Sequence, residues 1–191
     1  MQISIPTGLS TETRFRLIQS LESWKFEPHK LPEEELLACT LILFEGLYRI
    51  EGIEEAVGVS LSMYLPVTSS TLYLRSLGQI SGFVHHLRRI YRLENSYHNF
   101  EHALDVLQAS YSYLRSAGMV PPLSMLLKPD QKWKLDKEFD SGPLVTTLGL
   151  QELFVVYLIA IGHDVGHPGF TNVFMASTSS SLMRHSMSTN T

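Results

Sequence analysis

The feature that most constrains the fold is an apolar run that ends directly in a histidine and an aspartate. Residues 153–161 are bulky and apolar almost throughout, and after Gly162 come His163 and Asp164. A run of this kind is normally buried, and a lone carboxylate at its end is costly to bury unless it is paired, hydrogen-bonded or bound to a metal. The chain must therefore fold so that something neutralises Asp164.

The residues of this segment leave two interpretations open. In the first, Asp164 only caps the end of a helix beside a core histidine. In the second, His163 and Asp164 offer one nitrogen and one oxygen ligand to a divalent metal ion. In either case Pro168 and Gly169 are predicted to stop the helix that carries them, because proline lacks the N–H that a helix requires.

A repeated histidine spacing favours the second interpretation. His98 and His102 are four positions apart, as are His163 and His167. Residues at this spacing share one face of a helix, so each pair is predicted to lie on one helical face. With 8 histidines in 191 residues, random placement gives about a third of one such pair. Two pairs therefore indicate a shared polar site.

The residues around the two pairs resemble a catalytic signature. The motifs are Tyr97-His98-Asn99-x-x-His102-Ala103 and, later in the chain, His163-Asp164-x-x-His167-Pro168-Gly169-x-x-Asn172. In this order they resemble the class I 3',5'-cyclic-nucleotide phosphodiesterases, which belong to the HD-type metal phosphohydrolases. The resemblance is clear over residues 87–174, diffuse over 31–65 and absent after about 176, and the insertion between the motifs is most similar to fungal members.

The resemblance implies an all-α fold, a multi-helix bundle of the HD type whose C-terminal side is incomplete in this chain. No segment shows a strong strand period, so the residue pattern favours the same class. We expect an N-terminal helical segment over 1–30, part of the catalytic domain over 31–176 and a disordered tail over 177–191. Irregular insertions are expected near 66–82 and 118–147, the second as a surface loop that Trp133 could anchor.

Helices are predicted over residues 11–18, 31–50, 51–65, 83–93, 97–114 and 148–166. The last of these, which carries the long apolar run, is expected to be the central helix. Asn95 and Ser96 are expected to cap the helix that carries His98. The run of His85, His86, Arg88 and Arg89 is expected to form an exposed basic face.

The resemblance implies metal ligands at His102, His163 and Asp164. Asp164 would link two divalent ions, of which the tighter one would be zinc and the second magnesium or manganese. His98 would stand away from the ions and protonate the leaving 3' oxygen as general acid. The outer-shell waters would be held by His167 and Asn172.

The implied function is hydrolysis of 3',5'-cyclic nucleotides, cAMP or cGMP or both, to 5'-nucleoside monophosphates in signalling. Such enzymes carry a further aspartate for the tighter metal and a base-binding glutamine and aromatic clamp, none of which we find in this chain. The alternative is therefore a truncated, catalytically inactive fragment that at most binds a metal or a partner. A different HD-type hydrolase is a third hypothesis, against which Tyr97-His98-Asn99 argues because a general HD domain does not need it.

Charge and composition limit the kinds of partner that the chain is expected to bind. A net charge of −4 gives no electrostatic footprint for nucleic acid. The longest apolar runs are about half of what a membrane span requires, and the N-terminus lacks the features of a secretory signal. One cysteine, Cys39, fits a reducing compartment. We therefore expect a soluble, cytoplasmic protein that binds a small cyclic nucleotide; nothing in the sequence specifies an oligomeric state.

Overall fold

The computed structural model describes residues 9–64, 77–128, 131–134 and 147–169. These residues form six α-helices and two short 3-10 segments. The α-helices are α1 (Thr11–Glu22), α2 (Glu33–Tyr48), α3 (Ile53–Tyr64), α4 (Leu77–Ile90), α5 (Phe100–Ser116) and α6 (Leu150–Gly162), and the 3-10 segments are Pro28–Lys30 and Leu123–Leu127. In these ranges extended pairing is limited to an isolated bridge between Ile50 and Trp133. The predicted all-α fold is confirmed.

Helix α2 lies at the centre of the bundle. Every residue from position 38 to 48 is buried, and α2 packs against α1, α3, α4, α5 and the second 3-10 segment. A helix that is apolar around its whole circumference is a core helix. The expectation that the helix of residues 148–166 is central was wrong, because α6 leaves Val155 45% and Ile159 61% exposed.

Two predicted irregular segments are more ordered than expected. Helix α4 begins at Leu77, so the end of the predicted insertion 66–82 is helical; residues 65–76 lie outside the described ranges. The start of the predicted surface loop 118–147 is core: Met119 and Leu123 are fully buried. Apolar side chains at these positions give the segment a face to bury, which its prolines obscured in the sequence.

Trp133 anchors the middle of the same connection, as predicted. Its backbone N–H donates to the carbonyl of Arg49 at 2.8 Å, and its carbonyl accepts from the N–H of Glu51 at 2.8 Å. Two backbone hydrogen bonds thus fix this residue beside the α2–α3 turn. The predicted tail 177–191 and Asn172 lie outside the described residues.

The functional residues lie where two packed helices meet. Helix α5 packs against α6, and α6 also packs against α3. The start of α5 and the end of α6 lie at the same end of the bundle, since His102 in the first turn of α5 contacts His163 and Asp164 just after α6. Within the described ranges, no helix combines the length and apolarity needed to cross a membrane.

Candidate metal centre

The first histidine segment is a turn followed by a helix start. Asn99 is the N-cap of α5, and its side-chain oxygen accepts from the N–H of His102 at 3.0 Å. Asparagine is among the preferred N-caps because its side chain satisfies one of the free N–H groups of the first turn. Helix α5 therefore begins at Phe100, after His98. The predictions that Asn95 and Ser96 cap this helix and that His98 and His102 share a helical face were wrong.

The second histidine segment also lies in a turn. Helix α6 ends at Gly162, and His163 is its C-cap. The N–H of Val165 then donates to the carbonyl of Gly162 at 3.1 Å, and Gly166 adopts a φ of +77°. This left-handed conformation is one that glycine adopts without steric cost. The predicted helical face for His163 and His167 was therefore wrong, and the common four-residue spacing reflects two turns.

Three of the predicted site residues converge. The Oδ2 atom of Asp164 lies 3.2 Å from Nε2 of His163 and 3.7 Å from Nε2 of His102. One donor atom from each of these residues lies within 4.8 Å of the other two. The side chains are 13% (Asp164), 31% (His163) and 20% (His102) exposed. The cluster thus opens to solvent on one side.

The carboxylate of Asp164 has an unsatisfied oxygen. Oδ2 is buried and receives no hydrogen bond from any described residue. Nδ1 of His163 lies 2.9 Å from the carbonyl of Ala160; since a carbonyl only accepts, Nδ1 must be the donor. In the neutral ring the lone pair is then on Nε2, which faces Oδ2. Two acceptors that face each other repel unless a proton or a metal ion lies between them.

His102 favours the neutral state that a metal ligand requires. Burial lowers the pKa of His102, and this effect is opposed by the nearby carboxylate of Asp164. Neutral imidazole is the form that binds metal ions. His102 therefore offers a free nitrogen rather than a second positive charge to Asp164.

The donor set fits a divalent ion. Tetrahedral coordination at 2.0–2.1 Å places ligand atoms about 3.3 Å apart, close to the 3.2 Å and 3.7 Å separations from Asp164 Oδ2. Two imidazole nitrogens and one carboxylate oxygen suit zinc, and the second carboxylate oxygen suits a harder ion. Three protein ligands with an open side are typical of a catalytic rather than a structural zinc site.

His98 lies beside the ligand cluster. Its ring stacks on that of His167, with centroids 3.8 Å apart and planes at 16°, and its centroid lies 6.3 Å from that of His102. The ring of Tyr97, which is 61% exposed, lies against that of His102 with centroids 4.3 Å apart. His98 can therefore face a molecule bound at the cluster without binding the ion itself.

Tyr91 is a site residue that the sequence did not reveal. Its hydroxyl donates to the carbonyl of Ile161 at 2.9 Å and accepts from the N–H of Asp164 at 3.3 Å. Burial raises the pKa of Tyr91 to about 12, so the hydroxyl keeps its proton. The sequence indicated only that Tyr91 points inward; the available signal was that a buried tyrosine hydroxyl needs a partner.

The basic run on α4 lies outside the cluster. His85 and His86 are exposed, as predicted. Arg88 departs from the predicted exposed face, because its side chain is only 12% exposed and its guanidinium lies 5.6 Å from the centroid of Phe100. The long apolar stem of arginine allows this partial burial.

Comparison with known proteins agrees with the site. A family model described as 3'5'-cyclic nucleotide phosphodiesterase matches residues 97–190. The matched range begins at the Tyr97 motif and runs past residue 176, where we had placed the end of the resemblance. No solved structure matches the chain significantly.

Curated relatives match most of the chain. The 3',5'-cyclic-nucleotide phosphodiesterase regA of Dictyostelium discoideum is 24% identical over 94% of this chain and 17% of its own length. The cGMP-inhibited 3',5'-cyclic phosphodiesterase 3A of Homo sapiens is 27% identical over 93% of this chain and 16% of its own. The 3',5'-cyclic-nucleotide phosphodiesterase 2 of Saccharomyces cerevisiae is 26% identical over 86% of this chain and 22% of its own length.

The chain thus spans only a small part of the relatives that it matches. Within that part, however, the matched range contains every residue of the cluster and of the stacked pair beside it. The motifs, their convergence in space and the family match agree with one another, and residues 97–190 are similar to the 3'5'-cyclic nucleotide phosphodiesterase family.

Proposed function

We propose that this chain takes part in the metal-dependent hydrolysis of 3',5'-cyclic nucleotides, cAMP or cGMP or both, to 5'-nucleoside monophosphates. One observation carries the proposal. His102, from the start of α5, meets His163 and Asp164, from the end of α6, around a buried carboxylate oxygen that has no hydrogen-bond partner among the residues that the structure describes.

The three converging residues would hold the ions. His102, His163 and one oxygen of Asp164 would bind the tighter ion, plausibly zinc, and the other oxygen of Asp164 would face a second ion, magnesium or manganese. When bound, such ions neutralise charge on the phosphate and activate water as a nucleophile near neutral pH. His167 and Asn172 would orient water around them.

His98 would donate the proton that the reaction requires. Hydrolysis forms a new P–O bond to water and breaks the bond between phosphorus and the 3' oxygen, which leaves as an alcohol once protonated. The ring of His98 stands outside the ligand cluster but beside it, as a proton donor to the leaving group should.

A direct test compares two histidines that have the same local hydrogen bond. Nδ1 of His163 bonds to the carbonyl of Ala160 at 2.9 Å and Nδ1 of His85 to that of Ser81 at 2.8 Å, but only His163 faces Asp164. We expect His163→Ala to abolish zinc or manganese binding in calorimetric titration and His85→Ala to leave it intact. Equal effects would reject the metal assignment.

Hydrolysis is then measured on metal-loaded protein with cAMP and cGMP, using His163→Ala as the blank. Turnover above the blank supports the proposal. Metal binding without turnover of either nucleotide supports the alternative, in which the chain binds metal but is not by itself catalytic.

The role of His98 is separable from that of the ligands. We expect His98→Ala to keep the full metal stoichiometry, because the ring lies outside the cluster. In a preparation that hydrolyses cyclic nucleotides, the same change should lower turnover about 10²–10⁴-fold, the usual contribution of a positioned general acid. Loss of metal in His98→Ala would instead identify His98 as a ligand.

A further inference from the structure

We propose that Asn95 is a positioning residue that joins the two histidine-bearing turns and holds His98 stacked against His167. The inference rests on the proposed function only for the chemical use of His98. The contacts themselves do not depend on that function.

A single side-chain amide links the two turns. Nδ2 of Asn95 donates to the carbonyl of His98 at 3.1 Å and to the carbonyl of His167 at 2.9 Å. The NH₂ group of asparagine has two N–H donors, so both are used. Asn95 is 8% exposed. At such a buried position, loss of the amide would leave the two carbonyls without their donor, which costs folding free energy.

Asn95 is also fixed from two other sides. The backbone carbonyl of Asn95 accepts from Nδ2 of Asn99, the N-cap of α5, at 3.1 Å. Its Oδ1 atom lies against Gly169, where an added Cβ would overlap that oxygen. Gly169 has a φ of +82°, so the backbone conformation and the space both favour glycine there.

These contacts explain the stacked pair. His98 and His167 belong to distant parts of the sequence, yet their rings lie face to face with centroids 3.8 Å apart. The amide of Asn95 ties the backbones of both residues and so fixes the separation of the rings. A proton donor misplaced by about 1 Å loses much of its effect, so a group that fixes this separation contributes to the rate without touching the substrate.

The chain provides a matched control in Gln108. Its Nε2 atom donates to the carbonyls of Leu21 and Ser23 at 2.9 and 3.1 Å, and it is 3% exposed. Gln108 is thus a second buried amide that bridges two backbone carbonyls, but it joins α5 to the end of α1. Gln108→Ala removes a similar set of hydrogen bonds away from the histidine turns.

The first test records the imidazole proton chemical shifts of the metal-free chain by NMR in the wild type, Asn95→Ala and Gln108→Ala. Each ring of a stacked pair shifts the protons of the other upfield. We expect Asn95→Ala to lose this shift for His98 and His167 and Gln108→Ala to retain it. Retention of the shift in Asn95→Ala, or its loss in both variants, would overturn the proposal.

A pair of glycine variants provides the same test if Asn95→Ala does not fold. Gly169→Ala and Gly166→Ala both place alanine in a left-handed conformation, at φ values of +82° and +77°. Of the two, only the Cβ at position 169 meets Asn95; the one at 166 meets no atom of the described residues within 4 Å. We expect Gly169→Ala to lose the stacking shift and Gly166→Ala to keep it; equal behaviour would contradict the role of Asn95.

Metal titration and kinetics separate this inference from the proposed function. We expect Asn95→Ala to bind zinc within about 10-fold of the wild type, because its hydrogen bonds go to backbone atoms of the turns, and to lower kcat about 10–100-fold with little change in KM. A change confined to KM would overturn the positioning role. Absence of hydrolysis in the wild type would reject the proposed function, and the NMR comparison would still decide on Asn95.

Discussion

Helix α2 and the turn after α6 each bury a carboxylate, and the two have different partners. The side chain of Glu45 is 5% exposed and lies 2.7 Å from the guanidinium of Arg14 and 3.6 Å from that of Arg49. The side chain of Asp164 is 13% exposed and faces two imidazoles, with Oδ2 lacking any hydrogen bond within the described residues. Burial of either charge is costly, but only that of Glu45 is offset by permanent positive charge.

The two carboxylates differ in whether their partners carry a permanent charge. Arginine cannot lose its proton in a protein, so the charge on Glu45 is compensated under all ordinary conditions. Neutral histidine adds no positive charge but adds a nitrogen ligand. Among the described residues Asp164 therefore faces nitrogen ligands without a permanent counter-charge, whereas Glu45 faces two arginines. Each of the following predictions tests this difference.

The largest expected effect is on metal affinity. Asp164→Asn keeps the shape of the side chain but removes the anionic ligand. Loss of an outer-shell partner lowers metal affinity by about 10–100-fold. We expect Asp164→Asn to lower zinc affinity by more than this. Glu45→Gln is the matched control and should bind zinc as the wild type does. The two affinities are measured by calorimetric titration; equal losses would show that the carboxylates do not differ in function.

Metal removal should affect stability only where the site is intact. At a free ion concentration of 100 times Kd, binding to the native state alone stabilises it by about 2.7 kcal/mol. We expect a chelator to remove this increment from the wild type and from Glu45→Gln but to leave Asp164→Asn unchanged. The measurement is the denaturant midpoint with and without chelator, and a chelator effect in Asp164→Asn would place the ion elsewhere.

In the metal-free chain Glu45→Gln, rather than Asp164→Asn, should be the more damaging variant, now measured by the free energy of unfolding. Glu45→Gln leaves Arg14 and Arg49 without their anion, and we expect a loss of about 2 kcal/mol, less than for a fully buried pair because both arginines keep contact with solvent. Asp164→Asn removes a charge that faces no permanent counter-charge among the described residues, so it should leave stability unchanged or raise it. Denaturant unfolding in chelator measures both, and a larger loss in Asp164→Asn would refute the difference between the two sites.

The sequence was sufficient to predict which three residues converge because their motifs are local. His163 and Asp164 are adjacent, and His102 lies in a motif whose neighbours, Tyr97 and Asn99, identify the family. Their convergence followed from the resemblance and is confirmed by the structure. The helical spacing used to support it was wrong, because turn residues decide where helices begin and end: Asn99 caps α5 after His98, and α6 ends before His163.

The residues that support the ligands could not be predicted in this way. Asn95 bonds to a carbonyl at position 167 and Tyr91 to one at position 161, and each partner lies in a segment far along the sequence. An asparagine before a helix is compatible with a cap, and a tyrosine on an apolar face is compatible with packing. Local patterns do not show whether such a residue caps a helix, packs in the core or bonds to a distant segment, because that depends on tertiary contacts.

The smallest expected effect concerns Tyr91, which connects the end of α6 to the backbone of Asp164. Its counterpart for comparison is Tyr111, whose hydroxyl also bridges a backbone carbonyl and a backbone N–H, those of Pro121 at 3.4 Å and Leu123 at 3.1 Å. Burial raises the pKa of Tyr111 to about 12 as well. The two tyrosines are thus alike in burial and bonding and differ in whether the bridge reaches the ligand cluster.

We expect Tyr91→Phe and Tyr111→Phe each to lower the free energy of unfolding by about 1 kcal/mol, since each removes a buried hydroxyl that bridges two backbone groups. Only Tyr91→Phe should also weaken zinc binding, by about 10-fold, because the N–H of Asp164 loses its acceptor and the carboxylate is less well fixed. Parallel unfolding and titration experiments on both variants measure the two effects. If both variants bound zinc equally well, Tyr91 would stabilise the fold without positioning the ligand, and the orientation of Asp164 would depend on its side chain contacts alone.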